Sequence, residues 1–292
     1  MNLRDLQYLV AVADHRHFGK AAADCHISQP TLSMQLKKLE DYLGAQLIER
    51  SRRQVAMTPV GAEIVQRARG LLRESEEIRN LARMAQDPYA GDLRLGAFPT
   101  LAPYFLPMAV PAIHKALPKL KLLLVEEKTA ALLDRLKAGM LDAALLALPA
   151  KLDGLESAAL FDDPFLLAVP HDHALAGRKY VRAHDLKGEK LLLLEDGHCL
   201  RSQALDACST VGASEYGEFR ATSLETLRQM VAAGVGITLI PGMAAGKDKA
   251  VTYISFGDSG PYRTIGLVWR KQAARKECIR KIAGLLKAVS KK

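Results

Sequence analysis

The sequence is expected to fold as an α/β body of two subdomains facing a cleft, preceded by an all-α winged helix-turn-helix domain and a long linker helix. Three observations predict this: apolar residues at helical spacing over residues 3–44, a heptad seam over 64–85, and strand-like and helix-like runs that alternate from residue 92 onward. With 292 residues, 49% of them apolar, the chain can bury cores for two domains of unequal size.

Leu3, Leu6, Leu9, Val10 and Ala13 follow helical spacing, and a second short helix over 18–25 passes through Ala21-Ala-Ala, whose small side chains let helices approach closely. Ser28 is a good N-cap, and Pro30 is tolerated in the first turn. Leu32, Leu36, Leu39 and Leu43 then form the buried stripe of a third helix that Gly44 ends. Two short helices, a tight connection and a longer helix make a helix-turn-helix. With the leucines inward, Gln29, Pro30, Thr31, Ser33, Met34 and Lys37 lie at the start or outer face of that helix, where side chains can reach base edges in a major groove. Residues 47–58 read as two short strands around a basic tip, a wing whose Arg50, Arg52 and Arg53 can meet phosphates or a minor groove. An ordinary helical bundle with solvated charges would share the three stripes; the basic wing favours DNA.

From Pro59, residues Ile64, Ala68, Leu71, Ser75, Ile78, Ala82 and Ala85 recur at alternating steps of four and three, which is a heptad seam. It suits a helix pairing with its own copy in a dimer; packing on the chain's own body is the competing reading. Asp87-Pro88-Tyr-Ala-Gly91 breaks the helix. The expected domains are therefore 1–58 for DNA binding, 59–87 for linking and dimerisation, and 88–292 for the α/β body.

In the last of these, strands at 93–97, 120–125 and 143–148 alternate with helices near 104–117 and 130–140, which is βαβ logic and implies a parallel sheet. Residues 155–169 supply two strand-like runs separated by Asp162-Asp-Pro164. A strand at 191–194, a helix at 224–233 and strands at 237–240, 251–256 and 263–269 follow. Subdomain I is assigned to 88–163 plus 268–292 and subdomain II to 164–267, with loops at strand C-termini lining the cleft. Thr100, Thr129, His198 and Thr222 adjoin such strand ends or helix starts. The final segment is amphipathic, with Ile279, Ile282, Ala283, Leu286 and Val289 turned inward.

Four cysteines suggest no disulfide scaffold, and their spacing suits no zinc tetrahedron. Cys25 and Cys278 fall in apolar helical patterns and are assigned no chemistry. Cys199 belongs in the first turn of a short helix, where free backbone N–H groups, the helix dipole, His198 and Arg201 all favour a thiolate, so a lowered pKa is expected. If that helix reaches Cys208, nine residues on, the two Cα atoms are separated by about 13.5 Å of axial rise and the sulfurs by roughly 900° of rotation. A disulfide needs Cα atoms within about 7 Å, so bonding would require unwinding. Two inert buried thiols in a reducing cytosol is the alternative that spacing alone leaves open.

The net charge of +9 is weak evidence for DNA, because residues 1–60 carry eight basic against six acidic side chains while residues 270–292 carry nine against one. The N-terminus Met1-Asn-Leu-Arg-Asp lacks a basic-then-apolar leader, and no run of about 18 apolar residues appears, so a soluble cytoplasmic protein is expected. No Gly-rich phosphate loop, metal-ligand set or nucleophile elbow supports an enzyme, and no cofactor or metal is expected.

Phe18-Gly-Lys-Ala-Ala-Ala, Ser28-Gln-Pro-Thr-Leu-Ser33 and Leu47-Ile-Glu-Arg50 resemble the DNA-binding signature of LysR-type transcriptional regulators. Leu194-Glu-Asp-Gly-His-Cys199-Leu-Arg201, Cys208, Phe219-Arg-Ala-Thr-Ser-Leu-Glu-Thr-Leu-Arg228 and Arg263-Thr-Ile-Gly-Leu-Val268 are similar to the peroxide-sensing OxyR group within that family. The resemblance covers the full length. It implies two Rossmann-like, periplasmic-binding-protein-like subdomains and a sensor in which peroxide oxidises Cys199 to a sulfenic acid that Cys208 resolves as a disulfide. It also implies a peroxide pocket of Thr100, Thr129, His198 and Arg263, with Ser202 where the family usually has aspartate. A serine hydroxyl can bond water but cannot serve as a carboxylate base. The implied partners are inverted-repeat promoter DNA, further copies of the chain in a homodimer or homotetramer, RNA polymerase, hydrogen peroxide as signal, and a thiol-reducing system such as glutaredoxin or thioredoxin. Two other functions remain open at this point: a LysR-type regulator answering a small organic ligand in the cleft, and a cysteine peroxidase with an accessory DNA module.

On this reading Arg52→Ala weakens DNA binding across all sequences and lowers its salt dependence, whereas Gln29→Ala relaxes base preference. Binding isotherms on specific and scrambled duplexes at several salt concentrations test both; equal effects of the two changes on every duplex would refute the placement.

Overall fold

The computed structural model describes residues 1–50, 55–84, 87–150, 152–208, 214–246, 248–257 and 260–290. Arg52 and Arg53, and the side chains of Arg50 and Cys208, lie outside the described residues. The chain divides into two compact units, residues 1–85 and 86–292.

In the first unit, α1 (Leu3–His15) starts at a capping box: the Asn2 side chain accepts from the Arg4 and Asp5 amides while the Asp5 carboxylate accepts from the Asn2 amide. The helix α2 (Phe18–Asp24) buries Ala21 and Ala22 completely, which brings its backbone close to its neighbours. Ser28 caps α3 (Gln29–Leu43) through the Thr31 amide, and Gly44 ends it in the left-handed region at φ 65°. Leu32, Leu36 and Leu39 face inward, leaving Gln29, Pro30, Met34 and Lys37 exposed and Thr31 and Ser33 half-buried. The short strands β1 (Ile48–Arg50) and β2 (Val55–Met57) pair antiparallel as a wing. The Glu40 carboxylate accepts from the Leu47 and Ile48 amides, anchoring the wing to α3.

The long α4 (Pro59–Met84) has two characters. Val65 is buried in the core of this unit and Ala68 is also buried, whereas Leu71 and Ile78, on the same heptad seam as Ala68, are 52% and 62% exposed.

In the second unit the order is β3 (Gly91–Ala97), α5 (Ala102–Ala116), β4 (Leu120–Glu126), α6 (Thr129–Lys137), β5 (Ala143–Leu148), β6 (Leu155–Pro170), β7 (Lys190–Leu194), α7 (Cys199–Cys208), β8 (Ser214–Ala221), α8 (Leu224–Ala232), β9 (Thr238–Pro241), β10 (Val251–Ser255), β11 (Tyr262–Arg270) and α9 (Lys276–Val289). Among the described residues a sheet runs β10-β6-β11-β5-β3-β4, with β9 also pairing β6, and β7 pairs β8 separately.

Three features depart from expectation. The sheet is mixed: β3 is parallel to β4 and β5, but β11 runs antiparallel to both β5 and β6. The reason is that β11 returns from the far end of the chain with no crossover helix before it, so nothing forces parallel pairing. Residues 155–170 form one strand rather than two, because Asp162 and Asp163 sit opposite Thr264 and Arg263 in the β11 ladder instead of turning the chain. The strand β8 has no counterpart among the expected strands; its Ser214-Glu-Tyr-Gly-Glu lacks an apolar alternation to signal it.

The single strand β6 serves two cores. Its first part pairs with β11 beside a core built from β3, α5, α6, β5 and α9, and its last residues pair with β9 and β10 beside a core holding β7, α7 and α8. Ile265, Leu267, Val268 and Trp269 of β11 all lie in the first core.

Gly61, in the first turn of α4, is required by close approach: an added Cβ would lie 2.1 Å from the Leu47 carbonyl oxygen, a backbone atom that cannot swing aside. Gly61→Ala is therefore expected to destabilise the first unit by about 1–3 kcal/mol. Denaturant unfolding measures this, and an unchanged midpoint would mean that α4 is free to shift away from β1.

Candidate functional site

The buried leucines of β7 lead into Glu195-Asp196-Gly197, and Gly197 takes φ 90°, a conformation that side chains rarely adopt. The turn is tied down from two sides. Lys128, the residue before α6, donates to the Glu195 carboxylate at 2.5 Å and to the Asp196 carbonyl at 3.1 Å. Arg201, one turn into α7, reaches back to the Leu194 carbonyl and pairs with Asp196 at 2.9 Å. Between these ties His198 is buried and Cys199 opens α7 half-buried, with a free thiol packed against the first core.

Arg263 enters from the start of β11 and is almost wholly buried. Its Nε and Nη2 both donate to Asp163 Oδ2, at 3.1 and 2.9 Å, while Nη1 donates to the Thr100 hydroxyl at 2.8 Å and Nη2 to the Thr100 carbonyl at 3.0 Å. The guanidinium also lies 5.1 Å from the centre of the Phe98 ring. Asp163 is equally buried, and its other oxygen accepts from the Met243 amide at 3.0 Å. Every charge in this group is thus paired and hydrogen-bonded, as a buried ion pair requires.

The sulfur feels opposing influences. Burial pushes the Cys199 thiol above its ordinary range; against this act, in order, the Arg263 cation, the Thr129 hydroxyl, and the N–H groups of Leu200 and Cys199 at the helix start. The expected lowering is therefore corrected: the helix amides do support the thiolate, but desolvation outweighs them. His198 does not contribute positive charge either. Burial and then the Lys128 ammonium lower its pKa, only partly offset by Glu195, so the ring is neutral at physiological pH. Its Nε2 makes no hydrogen bond and stands 3.9 Å from the Glu195 carboxylate.

Of the residues expected at the site, Thr129 and Arg263 act on the Cys199 thiol, Thr100 is bound to Arg263, His198 is the neighbour of Cys199 in the chain, and Ser202 is exposed on α7. The Thr100 hydroxyl oxygen accepts from Arg263, and the buried Thr129 hydroxyl has no partner of normal hydrogen-bond geometry. A small polar molecule with lone pairs could be held by these hydroxyls against the sulfur. The contributions of Asp163, Lys128 and Glu195 went unread in the sequence. Two aspartates within the strand-like run 155–169 were the available signal for Asp163, since an acid there needs either water or a cation. Among the described residues no group of side chains could hold a metal ion.

Two family models match the chain: "Bacterial regulatory helix-turn-helix protein, lysR family" over residues 3–62 and "LysR substrate binding domain" over residues 86–291. The hydrogen peroxide-inducible genes activator of Dickeya chrysanthemi is 49% identical over 273 residues, which is 92% of this chain and 90% of that protein. Among solved structures, full-length OxyR from Pseudomonas aeruginosa superposes with a TM-score of 0.76 at 37% identity, covering 98% of this chain and 95% of that one. A hydrogen peroxide-bound OxyR mutant from Corynebacterium glutamicum gives 0.69 at 36% identity, covering 99% and 92%.

Thr129→Val keeps the shape of the side chain and removes the hydroxyl that supports the thiolate. The pH midpoint for Cys199 alkylation, already above that of an ordinary thiol, is expected to rise by about half a unit, the worth of one weak hydrogen bond. Rates of iodoacetamide labelling at Cys199 across pH, read by peptide mass, test this; a midpoint that stays put would remove Thr129 from the site.

Proposed function

The chain belongs to the LysR family of bacterial helix-turn-helix regulators, and from that membership we propose that it is a hydrogen peroxide-responsive transcriptional regulator whose sensing atom is the Cys199 sulfur. The observation that carries this is a half-buried free thiol at the start of α7 on which the Thr129 hydroxyl and the Arg263 cation, itself bound to Thr100, both act. A regulator of this class is a DNA-binding switch rather than an enzyme.

The chemistry balances without a cofactor. The Cys199 thiolate attacks one peroxide oxygen and the O–O bond breaks, giving a sulfenic acid and hydroxide, which takes a proton to leave as water. The Cys208 thiolate then attacks the Cys199 sulfur, forming the disulfide and releasing the sulfenic oxygen as a second water. Donors from Thr100, Thr129 and Arg263 favour the leaving oxygen, where negative charge develops. Ser202 supplies no carboxylate, so proton transfer falls to the thiol itself and to water.

The helical backbone of α7 holds the Cα atoms of Cys199 and Cys208 about 13.5 Å apart, beyond the reach of a disulfide at about 7 Å. Forming the bond therefore unwinds α7, and a local oxidation becomes a change of fold in the second unit. A thiol-reducing system of the glutaredoxin or thioredoxin kind returns the chain to its starting state.

The output rests on residues 1–58 as the DNA-binding domain, with Gln29, Pro30, Thr31, Ser33, Met34 and Lys37 towards the major groove and Arg50, Arg52 and Arg53 of the wing towards phosphate. Residues 59–87 link it to the regulatory domain 88–292. Exposure of Leu71 and Ile78 on α4 favours a seam that pairs with a second copy of the chain over one packed on its own body. A dimer so formed reads an inverted repeat in successive major grooves, two dimers make a tetramer, and RNA polymerase is recruited from there. Such a protein acts in the cytoplasm; no described helix is long and apolar enough to cross a membrane.

One equivalent of hydrogen peroxide is added to the reduced protein, free thiols are trapped, and the digest is mapped by mass. A Cys199–Cys208 linkage is expected ahead of any other oxidation, and Cys199→Ser is expected to abolish both the linkage and the change in promoter binding. A Cys199 left unreacted while a control low-pKa thiol is consumed would sink the proposal and favour a regulator answering a small organic ligand.

A further inference from the structure

Asp163 lies a hundred positions from Arg263 in the chain, and no feature of the motif around Cys199 points to it. Yet it is 1% exposed, and it takes two of the five N–H groups of Arg263 on a single oxygen while the other oxygen holds the Met243 amide. Thr100 takes two more through its hydroxyl and its carbonyl. Four of the five donors are thereby committed, and one Nη1–H is left. Both partners have fixed backbones: Asp163 pairs with Arg263 in the β6–β11 ladder, and Thr100 lies in the turn between β3 and α5.

We propose that Asp163 is the positioning residue of the sensing site: it clamps the guanidinium so that one Nη1–H and the Thr100 hydroxyl serve the molecule at Cys199, and it offsets the Arg263 charge beside the sulfur. This rests on the peroxide-sensing reading of the same site. The clamp explains how a buried cation can stand near Cys199 without making it an indiscriminately reactive thiol. The Arg263 cation, paired with the Asp163 carboxylate, favours the thiolate, but burial outweighs it and holds the resting thiol protonated. Reactivity then depends on a substrate small enough to enter and to accept from the fixed donors, rather than on a standing thiolate.

Two rates separate this role from a merely structural one: iodoacetamide labelling of Cys199 across pH, and peroxide consumption by Cys199 above the thiolate midpoint. Both are read on the full chain. In Asp163→Asn the Arg263 charge is no longer balanced, so the labelling midpoint is expected to fall by about one pH unit, with thiolate near neutrality rising about tenfold. The peroxide rate at full ionisation is expected to fall about tenfold, because the donor is no longer held in place. Asp163→Glu keeps the charge but displaces the guanidinium, so it should return the midpoint to that of the unmodified chain while the peroxide rate stays low. It also decides the matter by itself if the Asn variant does not fold. A peroxide rate unchanged in either variant, or a midpoint that moves equally in both, overturns the proposal. Failure of the unmodified chain to consume peroxide would instead overturn the peroxide reading, and the labelling midpoints would still report whether Asp163 governs Cys199.

Discussion

Burying a charged guanidinium is the constraint around which the second unit is arranged. Arg263 is excluded from water, so its donors need acceptors, and four of the five find them in Asp163 and Thr100; removing one partner of such a pair typically costs about 3–5 kcal/mol. The acceptors come from β6 and from the turn after β3, and the guanidinium rests over Phe98 from that same turn. Satisfying one side chain thus ties the middle of β6 to β11 and to the turn carrying Thr100. Because β6 continues into the second core, the pair sits where the two cores share a strand.

The sulfur lies at the same junction. Cys199 begins a helix of the second core but packs against the first, and the turn before it is held by Lys128 from the start of α6. Stability there comes from a few ties to one short turn. Oxidation pits a covalent bond against those ties and against the hydrogen bonds of α7, and the helical separation of the two cysteines ensures that both cannot be kept.

The first unit solves a different problem. Its small core is closed by Ala21 and Ala22, by Gly61 against the Leu47 carbonyl, and by the Glu40 carboxylate that secures the wing. Once Val65 and Ala68 have been buried, Leu71 and Ile78 further along α4 have no partner within that core. One helix therefore serves first as part of a domain and then as an apolar seam, and a single heptad pattern spans both uses.

The sequence by itself determined the helices of the first unit, their caps at Ser28 and Gly44, the alternation of strands and helices from β3 to β5 in the second, and the helix that begins at Cys199. Those features depend on spacing, capping and turn chemistry, which are local in the chain. Only the tertiary structure decided the antiparallel insertion of β11, the unbroken run of β6 through Asp162 and Asp163, and the gathering of Thr100 and Asp163 around Arg263. It also reversed the electrostatics, because His198 and Cys199 respond to burial more than to their neighbours in sequence. Desolvation and ion pairing act between residues a hundred positions apart, and no local pattern in a chain encodes which distant charge will be buried against which.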